Sequence, residues 1–396
     1  MTLLGVRDTA LLIRNVELYA PRPLGRCEVL VVAGRVLAIA STIDPGHSLP
    51  LRCLDAGGRL LVPGLVDSLV HIGGGGGEGG FATRAPPLGA DAALRAGVTT
   101  VIGALGTDEV TRGHADLLAC ARGLTQAGVS AYVLSGSYRV PVATLTGSLR
   151  SDLVLIPEMI GVGEIAIADH RGSQPTLDEL ARIGADARVG GMLAGKRGTV
   201  LVHVGDAAEG LSLLHALSTR TPLPASGWHP THINRNRLLL AQASAWSARG
   251  GSVDLTASTT PQLLAEGEVP AAQALVELLG SGVPIGQITL SSDGQASLPQ
   301  FDADGRLVAI EFAAIDSLLN SLRQAVHQHG LSLATALAAI TSSPADIWGL
   351  PRKGRIEVGA DADMLLLERD SLELAATIAA GSLHVYDAAD LRDQFA

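Results

Sequence analysis

LVPGLVDSLVHIGGGGGEGG, residues 61–80, carries an apolar run that ends in a histidine and breaks into glycines. Such a run is too apolar for a half-exposed strand and suits a strand buried on both faces. Seven more runs of this texture follow: TTVIGALG (99–106), SAYVLSG (130–136), MIGVGEIAIAD (159–169), TVLVHVG (199–205), GWHPTHI (227–233), GSVDLTAS (251–258) and ITLSSD (288–293). Between them lie segments with helical apolar spacing, such as HADLLACARGLTQAG (114–128), LLLAQASAWSARG (238–250) and AAQALVELLGSG (271–282). Eight apolar strands with helical crossovers predict an α/β fold, a (β/α)₈ TIM-like barrel over residues 63–349. An open doubly wound sheet is the competing topology.

The two ends have a different texture. ALLIRNVELYA (10–20), CEVLVVAGRVLAIA (27–40) and RCLDAGGRLLVP (52–63) alternate short β-like runs with turns, and GRIEVGADADMLLLE (354–368) and GSLHVYDA (381–388) do the same. Residues 1–62 and 350–396 are therefore expected to form one small β-sandwich domain from both ends.

Composition narrows the function. The chain has 396 residues, 47% hydrophobic and 17% charged, enough for a large core, and its net charge of −10 comes without a basic cluster. That argues against nucleic acid or an anionic membrane as partner. Cys27, Cys53 and Cys120 are odd in number and lack Cys-x-x-Cys spacing, so they read as free thiols in a reducing compartment. Charged residues interrupt MTLLGVRDTALLIRNVELYAP (1–21), and no run of about 18 apolar residues occurs, so a cytoplasmic protein is expected.

Polar residues mark the strand ends. His71, Glu164, His203, His232 and Asp293 each lie in or at the end of an otherwise apolar run, and Tyr138 follows another. Barrel active sites collect at the carboxyl ends of strands, so these groups are expected to meet at one mouth. Each also has a bland reading. The histidines could be core residues, Glu164 half of a buried ion pair, Asp293 a helix cap, and Tyr138 a packing residue. The glycines before Glu78 could suggest a nucleotide loop, but FATRAPP (81–87) puts prolines where a phosphate-binding helix would begin.

The blocks LVPGLVDSLVHIGGGGGEGG, IAIADHRGS (165–173), LVHVGD (201–206), HPTHINRN (229–236), LSSDG (290–294) and GADADMLLL (359–367) together resemble the isoaspartyl dipeptidases of the amidohydrolase superfamily. The similarity runs from about residue 10 to 385. It implies a barrel with a companion sandwich, a homo-oligomer with an octamer as the assembly to test, a small dipeptide substrate, and two zinc ions. The family's ligands are a His-x-His pair, a carbamylated lysine, two single histidines and an aspartate. Leu69 replaces the first histidine here, and Glu164 replaces the lysine; His71, His203, His232 and Asp293 match. Leu69 has no lone pair to offer, while Glu164 already carries a carboxylate. Glu164, His203 and His232 would then hold one Zn²⁺, or another divalent metal, with the second site at His71 and Asp293 weak or absent.

The resemblance further implies Asp293 as the base for a metal-activated water and Tyr138 as the oxyanion donor. Glu78 would meet the substrate ammonium, Arg171 and Arg235 its carboxylates, Thr107 and Ser297 would add hydrogen bonds, and Gly76 would admit substrate to the backbone. The two arginines read otherwise as surface ion pairs. Competing functions are an N-acyl-amino-acid deacylase or lactamase, and a catalytically silent homologue that binds dipeptide-like ligands.

Overall fold

A computed structural model describes residues 10–46, 50–302, 307–385 and 392–395. All eight apolar runs form strands: β1 (Leu65–Val70), β2 (Val98–Gly103), β3 (Ser130–Ser135), β4 (Met159–Ile167), β5 (Thr199–Val204), β6 (Trp228–Thr231), β7 (Val253–Thr256) and β8 (Ile288–Ser291). Strands β1 to β6 pair in chain order, every pair parallel, and β7 pairs with β8 in the same sense. Two junctions close the ring. The Ile233 amide after β6 donates to the Asp254 carbonyl of β7 (3.1 Å), and the His71 amide after β1 donates to the Gly294 carbonyl after β8 (2.9 Å). The barrel therefore replaces the open sheet, because no edge remains between β8 and β1.

The strands' outward valines, among them Val101, Val133, Val162 and Val202, share one core with the inward faces of the helices His114–Gln126, Leu177–Ala194 and Arg237–Ser247. Each such buried aliphatic side chain contributes about 1.5–3 kcal/mol relative to exposure. Inside the barrel, Leu69, Ile102, Leu134, Ile160, Leu201 and Trp348 form an apolar layer. Trp228 and Trp246 are also fully buried, in keeping with a packing role.

Both chain ends enter one nine-stranded sheet. Ala10–Tyr19 pairs with Pro23–Val32, with Leu51–Asp55 through its first half and with Leu60–Pro63 through its second. Met364–Leu367 then adds to Leu60–Pro63, followed by Leu374–Ala379 and Ser382–Val385. The register shifts between Ile13 and Val16, where the first strand changes partner. Leu11, Ile13 and Leu54 from one branch share a core with Leu61, Met364 and Leu366 from the other, as two packed layers require.

Three details differ from the sequence reading. Only Met364–Leu367 of the 354–368 segment is strand; the residues before it run through turns around buried Lys353, whose ammonium bonds Asp363 and Ser130 (both 2.6 Å). Leu374–Ala379 is a strand that its small residues concealed. A hairpin, Ser297–Phe301 with Leu307–Phe312, follows β8. Residues 1–9 of the amino-terminal segment and 386–388 of GSLHVYDA lie outside the described residues. Among the described residues, no helix is long and apolar enough to cross a membrane.

Candidate metal and substrate site

The carboxyl ends of the strands bring the expected residues together. Glu164, in the middle of β4, is fully buried, and neither carboxylate oxygen has a hydrogen-bond partner. Gly163 before it has φ 144°, and a Cβ there would lie 2.6 Å from the Leu201 carbonyl, so only glycine lets β4 approach β5 this closely. Three imidazoles face the carboxylate: His203 Nδ1 at 3.5 Å, His232 Nε2 at 3.6 Å and His71 Nε2 at 3.8 Å. Asp293 Oδ1 lies 3.2 Å from His71 Nε2 and is likewise a buried atom without a hydrogen bond. His232 (φ 63°) and Asp293 (φ 53°) hold left-handed backbone conformations at the ends of β6 and β8, a strain typical of functional positions.

The outer nitrogen of each ring explains where its inner lone pair points. His71 Nδ1 is 3.3 Å from the Ala104 carbonyl, which can only accept, so a proton sits there and Nε2 faces Asp293 and Glu164; burial lowers the pKa of this ring, but those carboxylates outweigh it and raise the group to about 9. His203 Nε2 is 2.8 Å from Asp169 Oδ2, which holds the proton there and turns the Nδ1 lone pair toward Glu164 and the Tyr138 hydroxyl. His232 Nδ1 is 2.6 Å from the Thr256 hydroxyl, with Nε2 turned inward. Outer partners of this kind are what orient metal-ligating histidines. Glu164, His203 and His232 offer ligand atoms all within 4.8 Å of one another. Two nitrogens and an orphaned carboxylate match the donor set of a divalent metal such as zinc, so the residues fit the ion that the resemblance implies.

Electrostatics follow this geometry. Burial alone would raise the Glu164 carboxyl, but His203, His232 and His71 outweigh it and hold the group below its ordinary range. Burial, together with the second imidazole, pushes His232 down to about 4, so it is neutral and able to ligate. Leu69 joins the apolar layer below the site and contributes no donor.

A second cluster stands over this cradle on loops. Glu78 accepts from Thr107 Oγ1 (3.0 Å) and Ser297 Oγ (2.9 Å), and Arg171 Nη1 lies 4.0 Å away. Gly76 has φ 74°, and a Cβ there would meet the Thr83 carbonyl at 2.7 Å. The Tyr138 hydroxyl is 2.7 Å from His203 Nδ1, and burial raises its pKa well above the ordinary value, so it remains a donor. Arg171 and Arg235 are not simple surface pairs. Arg171 makes three bonds to Asp169 (2.7–3.0 Å), and Arg235 Nη1 lies 3.7 Å from the same carboxylate. Asp169 escaped the sequence reading. Its signal was a lone acid immediately after an apolar strand, inside the IAIADHRGS block.

A parallel barrel with an imidazole and carboxylate cradle at its carboxyl mouth defines the class: a hydrolase-type barrel with a site suited to a divalent cation. The Amidohydrolase family model matches residues 60–384, and the chain belongs to that family and is a hydrolase. It is similar to the β-aspartyl dipeptidase of Fervidobacterium islandicum AW-1, solved with a β-Asp-Leu dipeptide, at 40% identity and a TM-score of 0.90 over 96% of this chain and 97% of that one. It is also similar to a dihydroorotase of Latilactobacillus sakei, 25% identical over 89% of this chain and 88% of the relative. An N-acetylglucosamine-6-phosphate deacetylase of Pasteurella multocida, 16% identical with a TM-score of 0.63 over 95% of this chain and 100% of that one, shares the fold.

Proposed function

We propose that this chain hydrolyses β-aspartyl (isoaspartyl) dipeptides, using one tightly held divalent cation, zinc by donor type, on Glu164, His203 and His232. The observation that carries this reading is the orphaned Glu164 carboxylate, faced by imidazoles whose outer nitrogens are all bonded away from it. Bound there, such a cation would polarise the scissile carbonyl and lower the pKa of an attacking water toward about 7.

The remaining chemistry belongs to the chain. Asp293, with an unpartnered oxygen beside the cradle, takes the water proton and passes it to the departing amine. Tyr138 now donates to His203 Nδ1, the nitrogen a cation would claim, so loading frees its hydroxyl for the developing oxyanion. Glu78, steadied by Thr107 and Ser297, pairs with the substrate α-ammonium, and Gly76 keeps the neighbouring backbone open. Arg235 and the Nη1 edge of Arg171 take the carboxylates. A β-aspartyl dipeptide carries one ammonium and two carboxylates, and these charges complement it. His71 and Asp293, without a second histidine at Leu69, hold a second cation weakly if at all. The reading carries with it a cytoplasmic homo-oligomer, whose copy number sedimentation would count.

Metal analysis together with a substrate panel tests the proposal. One zinc equivalent and chelator-sensitive turnover of β-Asp-Leu are expected. Two tightly bound equivalents would overturn the single-cation reading, and turnover of N-acyl amino acids alone would move the function to a deacylase. Dipeptide binding without turnover at any metal loading would mark a silent homologue.

A further inference from the structure

Asp169 lies just after β4 and takes no part in the chemistry above, yet its carboxylate touches both halves of the site. The residue is only 4% exposed. Oδ2 meets His203 Nε2 at 2.8 Å and Arg171 Nη2 at 2.7 Å, with Arg235 Nη1 at 3.7 Å; Oδ1 accepts from the Arg171 backbone amide (2.8 Å) and Nε (3.0 Å).

We propose that Asp169 is a positioning residue that aims the cation cradle and the carboxylate clamp together, through one carboxylate oxygen shared by His203 and Arg171. The inference rests on the reading of both clusters given under the proposed function. On the cradle side, a neutral imidazole carries its proton on either nitrogen, and the acceptor it meets decides which. Asp169 can only accept while ionised, so it holds the proton on Nε2 and leaves the Nδ1 lone pair toward Glu164. On the clamp side, Asp169 occupies the Nε and Nη2 edge of Arg171. Only Nη1 is left to face the cleft, on the side of Glu78, and the guanidinium plane is fixed by two parallel bonds. The same anion sits between two guanidiniums that would otherwise repel each other across the cleft.

A purely structural role is the competing account, because Asp169 also shapes its own loop. The Gly172 amide donates to its carbonyl (3.0 Å), and the Arg171 amide to its Oδ1. Asp169→Asn separates the two. The amide oxygen can keep the turn, but the amide nitrogen in place of Oδ2 is a donor and cannot accept from His203 or Arg171. The metal-free variant should melt as wild type does, bind Zn²⁺ about 10–100-fold more weakly in a calorimetric titration, and show a raised KM for β-Asp-Leu. Arg235→Ala, by contrast, should raise KM and leave zinc affinity unchanged. An Asp169→Asn protein with wild-type zinc affinity and wild-type KM would overturn the proposal.

If that variant fails to fold, nitrogen-15 shifts of His203 in metal-free wild type decide: protonation at Nε2 is expected, and protonation at Nδ1 overturns it. Should wild type leave β-Asp-Leu intact, the dipeptidase reading fails by itself. The zinc titration and the tautomer measurement need no turnover and still judge Asp169.

Discussion

Two fully buried carboxylates on barrel strands, Glu164 of β4 and Asp254 of β7, have opposite surroundings. Asp254 accepts from three hydroxyls, Thr231 (2.7 Å), Thr289 (2.5 Å) and Ser291 (2.6 Å), and no imidazole adjoins it. Burial pushes its pKa up to about 7 despite those bonds. Neither Glu164 carboxylate oxygen has a hydrogen-bond partner, yet the imidazoles around it keep it ionised. A saturated carboxylate has nothing left to offer a ligand and pins strands to one another. An orphaned one surrounded by inward lone pairs is a place where a cation belongs. Burial is the same in both; the neighbouring donors decide what each carboxylate can do.

The hardest test of this contrast is Glu164→Gln. Losing the only carboxylate of the cradle should weaken zinc binding by more than about 100-fold, beyond the usual effect of losing an outer partner, and abolish turnover. Calorimetry and metal analysis would check it. A variant that retains full zinc affinity would erase the difference between the two carboxylates.

Asp254→Asn addresses the other side through pH. The folded pKa of about 7 lies above the ordinary 3.8, so the native state binds more protons than the unfolded chain between those values. The stability gained from this group is therefore complete below about pH 4 and is lost as pH rises through 7. Asp67, bonded to the Ser292 amide (3.0 Å) and hydroxyl (2.5 Å), is raised to about 7 by burial in the same way. Between about pH 4 and 7 the metal-free wild type should lose more stability with rising pH than the asparagine variant does, a difference of roughly a few kcal/mol that paired melting curves would read. An unchanged slope would mean that Asp254 is not the group titrating.

Arg235→Ala extends the comparison to the loops. Removing one charged hydrogen bond to substrate should raise KM for β-Asp-Leu by about 10–100-fold with kcat less affected, from a loss of about 1.5–3 kcal/mol. Steady-state kinetics would show it, and unchanged KM would remove Arg235 from the clamp. The smallest effect is expected from Leu69→His. It should add a second, weaker zinc equivalent by restoring the missing donor beside His71, detectable by metal titration; the apolar layer around Leu69 limits the gain.

Much of this was legible in the chain. The eight apolar runs announced a barrel because a strand covered on both faces must be apolar throughout, and polar residues at their ends stood out against that background. His71, Glu164, His203, His232 and Asp293 were found this way. Asp67, Asp254 and His229 carried the same signal and were passed over. Their neighbours tell them from the others: His229 is bonded to the Ser252 (2.8 Å) and Thr289 (3.0 Å) hydroxyls and pushed down to about 3 by burial, whereas His71, His203 and His232 face the Glu164 carboxylate.

The amino-acid order alone determined that eight buried strands would alternate with amphipathic helices, since side-chain hydrophobicity is a local property that repeats with each element's own period. It also determined that Leu69 could never bind a metal. The three-dimensional arrangement alone decided which nitrogen of each imidazole turns inward, that Asp169 serves both His203 and Arg171, and that Glu164 is left without a donor. Those outcomes depend on angles and distances between groups far apart along the chain, and a hydrogen bond is made or lost within about half an ångström.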